Sequence, residues 1–342
     1  MTLLELLVVV AILAVLATVA IQSTTSIGDQ VRYETTQKAL QAFRDATLGN
    51  SLQVMPDGSR AVSGFVADMG RLPRSRLLSD LEMGDLRVLS ELYSEALPAN
   101  LKAYALYPPT AANTTLASGS IANSDLLYAF TPRVPAGWRG PYLRKPSSEK
   151  SLVDGWGKLL ASRSGNPAEW PAMLLAFKTN ASQFTFADDA AYAAVEDSGR
   201  EVCGVFAMSG FEGAPTGSDA FSGRFYSTIV PNEYRQSPIA ITLSAPGFSP
   251  AVGSTFTVLM YGPNPEVEAD GKPIRVFGIT QTNTTTTLSL QPFVFDVPTL
   301  NSIGTKVFVA KYKTNAAATV LSGRPAYVSI YSGVPPLTIT YP

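Results

Sequence analysis

The chain has 342 residues, with 26 Lys+Arg against 27 Asp+Glu and a formal net charge of −1, so no basic excess exists to hold a nucleic-acid backbone. It has no histidine, which removes Ser-His-Asp and Cys-His catalysis and imidazole-bound zinc or haem. Its one cysteine, Cys203, allows no intrachain disulfide or CxxC pair and reads as a small apolar residue. Hydrophobic residues make up 46 %, too many for wholesale disorder, while charged residues are only 15 %, so part of the surface expects a membrane, a partner subunit, or Ser, Thr and Asn.

Residues 1–21 read MTLLELLVVVAILAVLATVAI. From Leu6 to Ile21 only Thr18 is polar, and Glu5 is the one charge. The run is long enough for a bilayer, which takes about 20 residues. It has neither a basic n-region nor a small-x-small cleavage site, so it does not read as a secretory signal peptide. Beyond it, Ile27, Val31, Ala39, Ala42, Phe43 and Ala46 continue a helical spacing. Gly49-Asn50 is a stop signal and Pro56-Asp57-Gly58 a turn. One helix of roughly 48 residues is expected, about 70 Å long. Its first half is all apolar and its second half amphipathic.

Glu5 is costly inside a membrane. One reading leaves it at the headgroup boundary as a flanking charge. The sharper reading pairs it with a cation once the segment leaves lipid, the α-amino group of Met1 in a neighbouring copy.

Residues 53–70 read as a connecting loop with Gly58, Gly64 and Gly70. Leu77, Leu78, Leu81, Leu86, Leu89 and Leu92 predict a helix over 74–95, interrupted at Gly84 and ended by Pro98. Residues 108–123, small and polar, read as a surface loop. Strand-like runs follow at Leu126–Thr131, Ala172–Lys178, Phe184–Ala187, Val202–Met208 and Arg224–Val230. The order, helix first and strands after, predicts an α+β domain with a long helix packed on an antiparallel sheet.

Composition shifts after residue 235. Only ten of residues 236–342 are charged, while Thr supplies fifteen. Seven short runs alternate with Pro/Gly turns: Ile239–Leu243, Thr255–Tyr261, Ile274–Gln281, Thr286–Phe295, Lys306–Lys311, Ala326–Tyr331 and Leu337–Tyr341. They predict a C-terminal all-β, sandwich-like domain. The divisions are therefore 1–52 for the helix, 53–235 for the globular part and 236–342 for a β-rich outer domain. Asn113, Asn180 and Asn283 fit the acceptor pattern for N-glycosylation.

The segment Met1-Thr2-Leu3-Leu4-Glu5, followed by the apolar helix, resembles the mature N-terminus of type IV pilins and type II secretion pseudopilins, with Met1 in place of the usual Phe. The resemblance implies that a short leader has been removed and that residue 1 is N-methylated. Many members carry Pro at position 22, where this chain has Gln22, followed by Ser23 and, further on, Gly28. Family helices often unwind near residues 15–25 in filaments, and the weak helix formers between Gln22 and Gly28 offer that without Pro. Gly140-Pro141-Tyr142-Leu143 with Asp154-Gly155-Trp156-Gly157, and Gly70-Arg71-Leu72-Pro73, are similar to segments of the major pseudopilin. Trp156 is expected to pack beneath its glycine-bracketed turn. Residues 205–219 are distantly similar to the family's calcium loop. Glu212 and Asp219 stand as candidate calcium ligands, beside the reading of an ordinary polar turn.

The expected function is structural, with no enzymatic activity and no required cofactor. The subunit is anchored in the inner membrane by residues 1–21, processed by a prepilin peptidase and added by an inner-membrane platform to a helical fibre of identical copies. It then lies on the cell surface as a major pilin. Two alternatives remain open. One is a pseudopilin of a secretion system. The other is a minor tip pilin whose Phe293, Phe295, Tyr327 and Tyr331 line a ligand site, against which stands ordinary core packing. An anchored enzyme would need paired carboxylates such as Asp188-Asp189 or Glu266/Glu268, and nothing in the sequence fixes their separation.

Overall fold

The computed structural model describes residues 3–50, 53, 62–74, 76–77, 87–99, 101–117, 131–144, 152–157, 160–165, 202–207, 226–229, 231–236, 238–285, 288, 290–297, 300–314, 320–331 and 336–340. For residues 3–5 and 18–26 the description covers the backbone. The fold is mixed α+β, with antiparallel and mixed sheets.

Helix α1 (Leu3–Leu48) opens the chain. It stops where Gly49 turns to a φ of 82°, a left-handed backbone that glycine adopts without steric cost. Among its described side chains, Thr36, Leu40, Phe43, Ala46 and Thr47 are buried, a single face at three- and four-residue spacing. The Thr47 hydroxyl donates to the Phe43 carbonyl at 2.9 Å, which satisfies it inside the core. That face packs on α2 (Phe65–Met69) through Phe65, Val66 and Met69. Leu72, Leu89, Leu92, Tyr93, Trp138, Leu143, Ile229 and Tyr234 complete the cluster. Burying one side chain such as Phe43 contributes about 1.5–3 kcal/mol.

The strands follow in chain order. β1 (Arg76–Leu77) and β2 (Arg87–Val88) form a small antiparallel pair, and the single helical turn α3 (Ser90–Tyr93) comes next. β3 (Ala105–Tyr107) precedes β4 (Thr114–Leu116) and pairs with β5 (Val134–Ala136). β6 (Leu160–Gly165), β7 (Val202–Ala207) and β8 (Tyr226–Ile229) make a three-stranded sheet against α1. Beyond it lie β9 (Ile239–Ser244), β10 (Thr255–Pro263), β11 (Ile274–Thr282), β12 (Phe293–Phe295), β13 (Gly304–Lys313), β14 (Val320–Ser322), β15 (Ala326–Ile330) and β16 (Leu337–Thr340).

β10 is central in the largest sheet. It pairs antiparallel with β11 (Tyr261 opposite Val276) and with β13 (Tyr261 opposite Val307). β14 and β15 both pair with β13, and β4 joins β11 in parallel. Strand alternation sorts the side chains. Phe256, Val258 and Met260 join Phe308, Ala310 and Tyr312 in one core, which Ile239, Ile241, Phe293, Phe295 and Ile339 of the β12-β9-β16 sheet share. Leu259 and Tyr261 join Val307, Val309, Val276 and Val134 in another.

Several expectations are corrected. The stretch 53–70 is not all loop, because Phe65–Met69 is helical between Gly64 and a left-handed Gly70. Residues 74–95 do not form one helix. Their described parts are β1, β2 and α3, and Leu89 and Leu92 are buried because α3 and its entry cross the α1 core. The leucine spacing was core burial without helical continuity. The stretch 108–123 contains β4, whose Thr114–Leu116 backbone is captured by β11. β14 escaped notice in an Ala- and Thr-rich stretch. Within the run Thr286–Phe295 the strand among the described residues is β12. Leu126–Thr131 lies outside the described residues except for Thr131, and Ala172–Lys178 and Phe184–Ala187 lie outside them altogether.

Hydrogen bonding and packing cross residue 236. β4 pairs with β11, and Val267 and Ile303 sit in the core around α1.

Candidate assembly surface

Two halves of α1 behave differently. The large apolar side chains between Leu6 and Leu16 are 44–64 % exposed, and Ile27 and Val31 are exposed as well. From Thr36 onward one face is buried in the head of the molecule. A contiguous apolar surface of this kind marks a membrane or protein contact. Among the described residues no helix is long and apolar enough to cross a membrane.

Where α1 leaves the head, the turn Asp154–Gly157 lies against it. The Gly155 amide donates to the Thr36 hydroxyl at 2.9 Å, and that hydroxyl donates to the Arg32 carbonyl at 2.9 Å. A Cβ at Gly155 would overlap the Arg32 backbone. The buried Asp154 carboxylate accepts the Trp156 amide at 2.9 Å, and the Gly157 amide closes the turn on the Asp154 carbonyl at 3.0 Å. Trp156 itself is 36 % exposed, so the expectation that it packs beneath the turn is corrected: the close approach is made by Gly155.

Elsewhere the head is braced by buried polar groups. Arg71 donates to both Glu91 oxygens at 2.8 and 2.7 Å and pairs with Glu268, which also pairs with Arg74. Burial alone would lower the Arg71 pKa, but Glu91 and Glu268 outweigh it and leave it raised. Asp68 accepts from Arg139 at 2.8 Å and from the Tyr142 hydroxyl at 2.9 Å. Burial pushes its carboxyl up to about 6 against the lowering effect of Arg139 and Tyr142. Burial and the Asp68 carboxylate push the Tyr142 hydroxyl up. Lys306 is fully buried, donates to the Ser302 hydroxyl at 3.0 Å, and has its pKa lowered by burial to about 7.

The sequence-predicted residues fall unevenly. Glu5, Gln22 and Ser23 lie in α1, which runs unbroken through Gly28. Met1, Glu212, Asp219, Asn180 and the pair Asp188-Asp189 lie outside the described residues. Among the described residues no group of three acidic or cysteine side chains could hold a metal ion. Asn283 is fully buried and donates to the Thr285 carbonyl. Asn113 is half-buried and donates to the Pro108 carbonyl at 3.1 Å. Phe293 and Phe295 are core residues, while Tyr327 is exposed and accepts the Arg133 amide at 3.0 Å. Glu266 pairs with Arg275 and Glu268 with Arg71 and Arg74, so the two carboxylates serve separate ion pairs.

Sequence reading missed the Arg71–Glu91–Glu268 group, Lys306 and Thr36. The one signal at hand was the segment Gly70-Arg71-Leu72-Pro73. Comparison of the chain with family models, with curated proteins and with solved structures finds no match.

Proposed function

We propose that this chain is the structural subunit of a type IV pilus-like surface fibre, a major pilin assembled through α1. The observation that carries the reading is the bare apolar segment Leu6–Leu16, exposed on a chain whose head is otherwise well packed. In a fibre those side chains are buried against the same segment of neighbouring copies. A heterologous contact that does not close on itself propagates as an open helical array. Before assembly the apolar segment anchors the subunit in the inner membrane. Glu5 then fixes axial register against the Met1 amine of an adjacent copy, and losing one partner of such a buried pair costs about 3–5 kcal/mol. The long helix forms the fibre core, and the sandwich-like C-terminal part faces outward. Prepilin peptidase and an assembly platform are the transient partners.

A second reading, a pseudopilin of a secretion system, is favoured by one observation. The pseudopilin-like segments Gly140–Leu143 and Asp154–Gly157 both build the head, the first through Tyr142 and Leu143 and the second through the turn against α1. The test is expression of the full precursor in cells carrying a pilus machinery. Wild-type fibres in the sheared fraction, abolished by Leu13→Asp and by Glu5→Ala, support the fibre reading. A subunit that stays in the membrane fraction under the same conditions overturns it.

A further inference from the structure

We propose that the turn Asp154–Gly157 is a clasp that fixes the direction in which α1 leaves the head, with Thr36 and Gly155 as its positioning residues. Four observations carry this. Among the described side chains of α1, Thr36 is the first that is fully buried, and those before it are exposed apart from the half-buried Tyr33. The head therefore grips the helix at Thr36. At that point the Thr36 hydroxyl links the Gly155 amide to the Arg32 carbonyl, so turn and helix share one hydrogen-bond relay. The approach is backbone to backbone, since no Cβ fits at Gly155. Asp154, buried, accepts the Trp156 amide and so holds the turn in the shape that aims the Gly155 amide.

The consequence lies in leverage. Residues 13 and 36 are separated by about 35 Å along a helix. A small change of angle at Thr36 is a displacement of several ångströms at the apolar tip. A hydrogen bond and a steric stop at the exit remove that freedom, so every copy presents its apolar segment in one direction. This inference rests on the fibre reading for its purpose, but the clasp is a property of the single chain.

The test uses the full chain in detergent, in a Cys203→Ser background, with spin labels at Leu13→Cys and Lys102→Cys. Thr36→Val keeps the side-chain shape and leaves the Gly155 amide without its acceptor, while Thr36→Ser keeps the hydroxyl. The expected result is one sharp interspin distance for the parent and for Thr36→Ser. For Thr36→Val the sharp peak is lost while the near-ultraviolet circular dichroism of the head is unchanged. In fibres, Thr36→Val then loses or alters the helical symmetry that Thr36→Ser retains. A sharp parental distance in Thr36→Val overturns the clasp. A parent that shows the sharp distance yet forms no fibre overturns the fibre reading and leaves the clasp standing.

Discussion

The projecting half of α1 and the β-rich C-terminal part both carry large apolar side chains, and they use them in opposite ways. In the C-terminal part Phe256, Phe293, Phe295 and Phe308 are all buried by strands of their own chain. In the projecting segment Leu6, Leu13 and Leu16 remain more than half exposed. Strand alternation explains the first case, because every second residue meets a facing sheet. The second has no polar face to turn outward, so its burial must come from outside the chain. Apolar content alone does not distinguish a core from an interface; the distinction lies in whether a complementary surface exists within the same molecule.

Substitutions sharpen this contrast. Phe308→Ala, inside the shared core, is expected to lower unfolding free energy by about 3–5 kcal/mol, read by denaturant titration. Arg71→Met takes the guanidinium from the Glu91 carboxylate and leaves Glu268 with Arg74 alone, and is expected to cost about 3–5 kcal/mol on the same assay. A loss below 1 kcal/mol, on the order of a surface pair, would contradict the buried brace.

Lys306 supplies a pH signature. Its folded pKa, about 7, lies below its ordinary value of 10.5. Between those values the unfolded chain binds a proton that the folded chain does not, so stability rises with pH through that window. The gain from pH 7 to 9 is about 2–3 kcal/mol, and Lys306→Met removes the slope. Asp68 acts in the opposite sense. Its folded pKa, about 6, lies above the ordinary 3.8, so its contribution improves as pH falls through 6. A Lys306→Met variant that keeps the alkaline rise places its source elsewhere.

The smallest expected stability effect falls on the projecting helix. Leu13→Ala should change head unfolding by less than about 0.5 kcal/mol, because Leu13 has no core to leave, yet it should reduce fibre yield. A destabilised head with normal fibres would break the comparison between the two regions.

Much of the strand content was legible from residues alone. Ile239–Leu243 and Thr255–Tyr261 are met by β9 and β10, because short β-favouring runs lie there between Pro and Gly turns. The stretch 74–95 was misread because Leu89 and Leu92 obey helical spacing while serving a core approached by short, separate elements. β4 was hidden because Thr114 and Thr115 look like loop residues, and pairing with β11 is non-local. The same limit hid the brace, since Arg71 and Glu268 stand 197 residues apart. At the clasp, the Asp-Gly-Trp-Gly motif was visible but its emphasis fell on the tryptophan. The glycine matters because of what it approaches, which only the fold discloses.

The most direct measurement is a cryo-electron microscopy map of fibres from the sheared surface fraction, at a resolution that identifies side chains. The expected map has the apolar segments bundled at the centre, with Leu6, Leu13 and Leu16 buried between copies, and the β-rich part outside. A fibre built of another protein, or one in which those side chains face solvent, would contradict it.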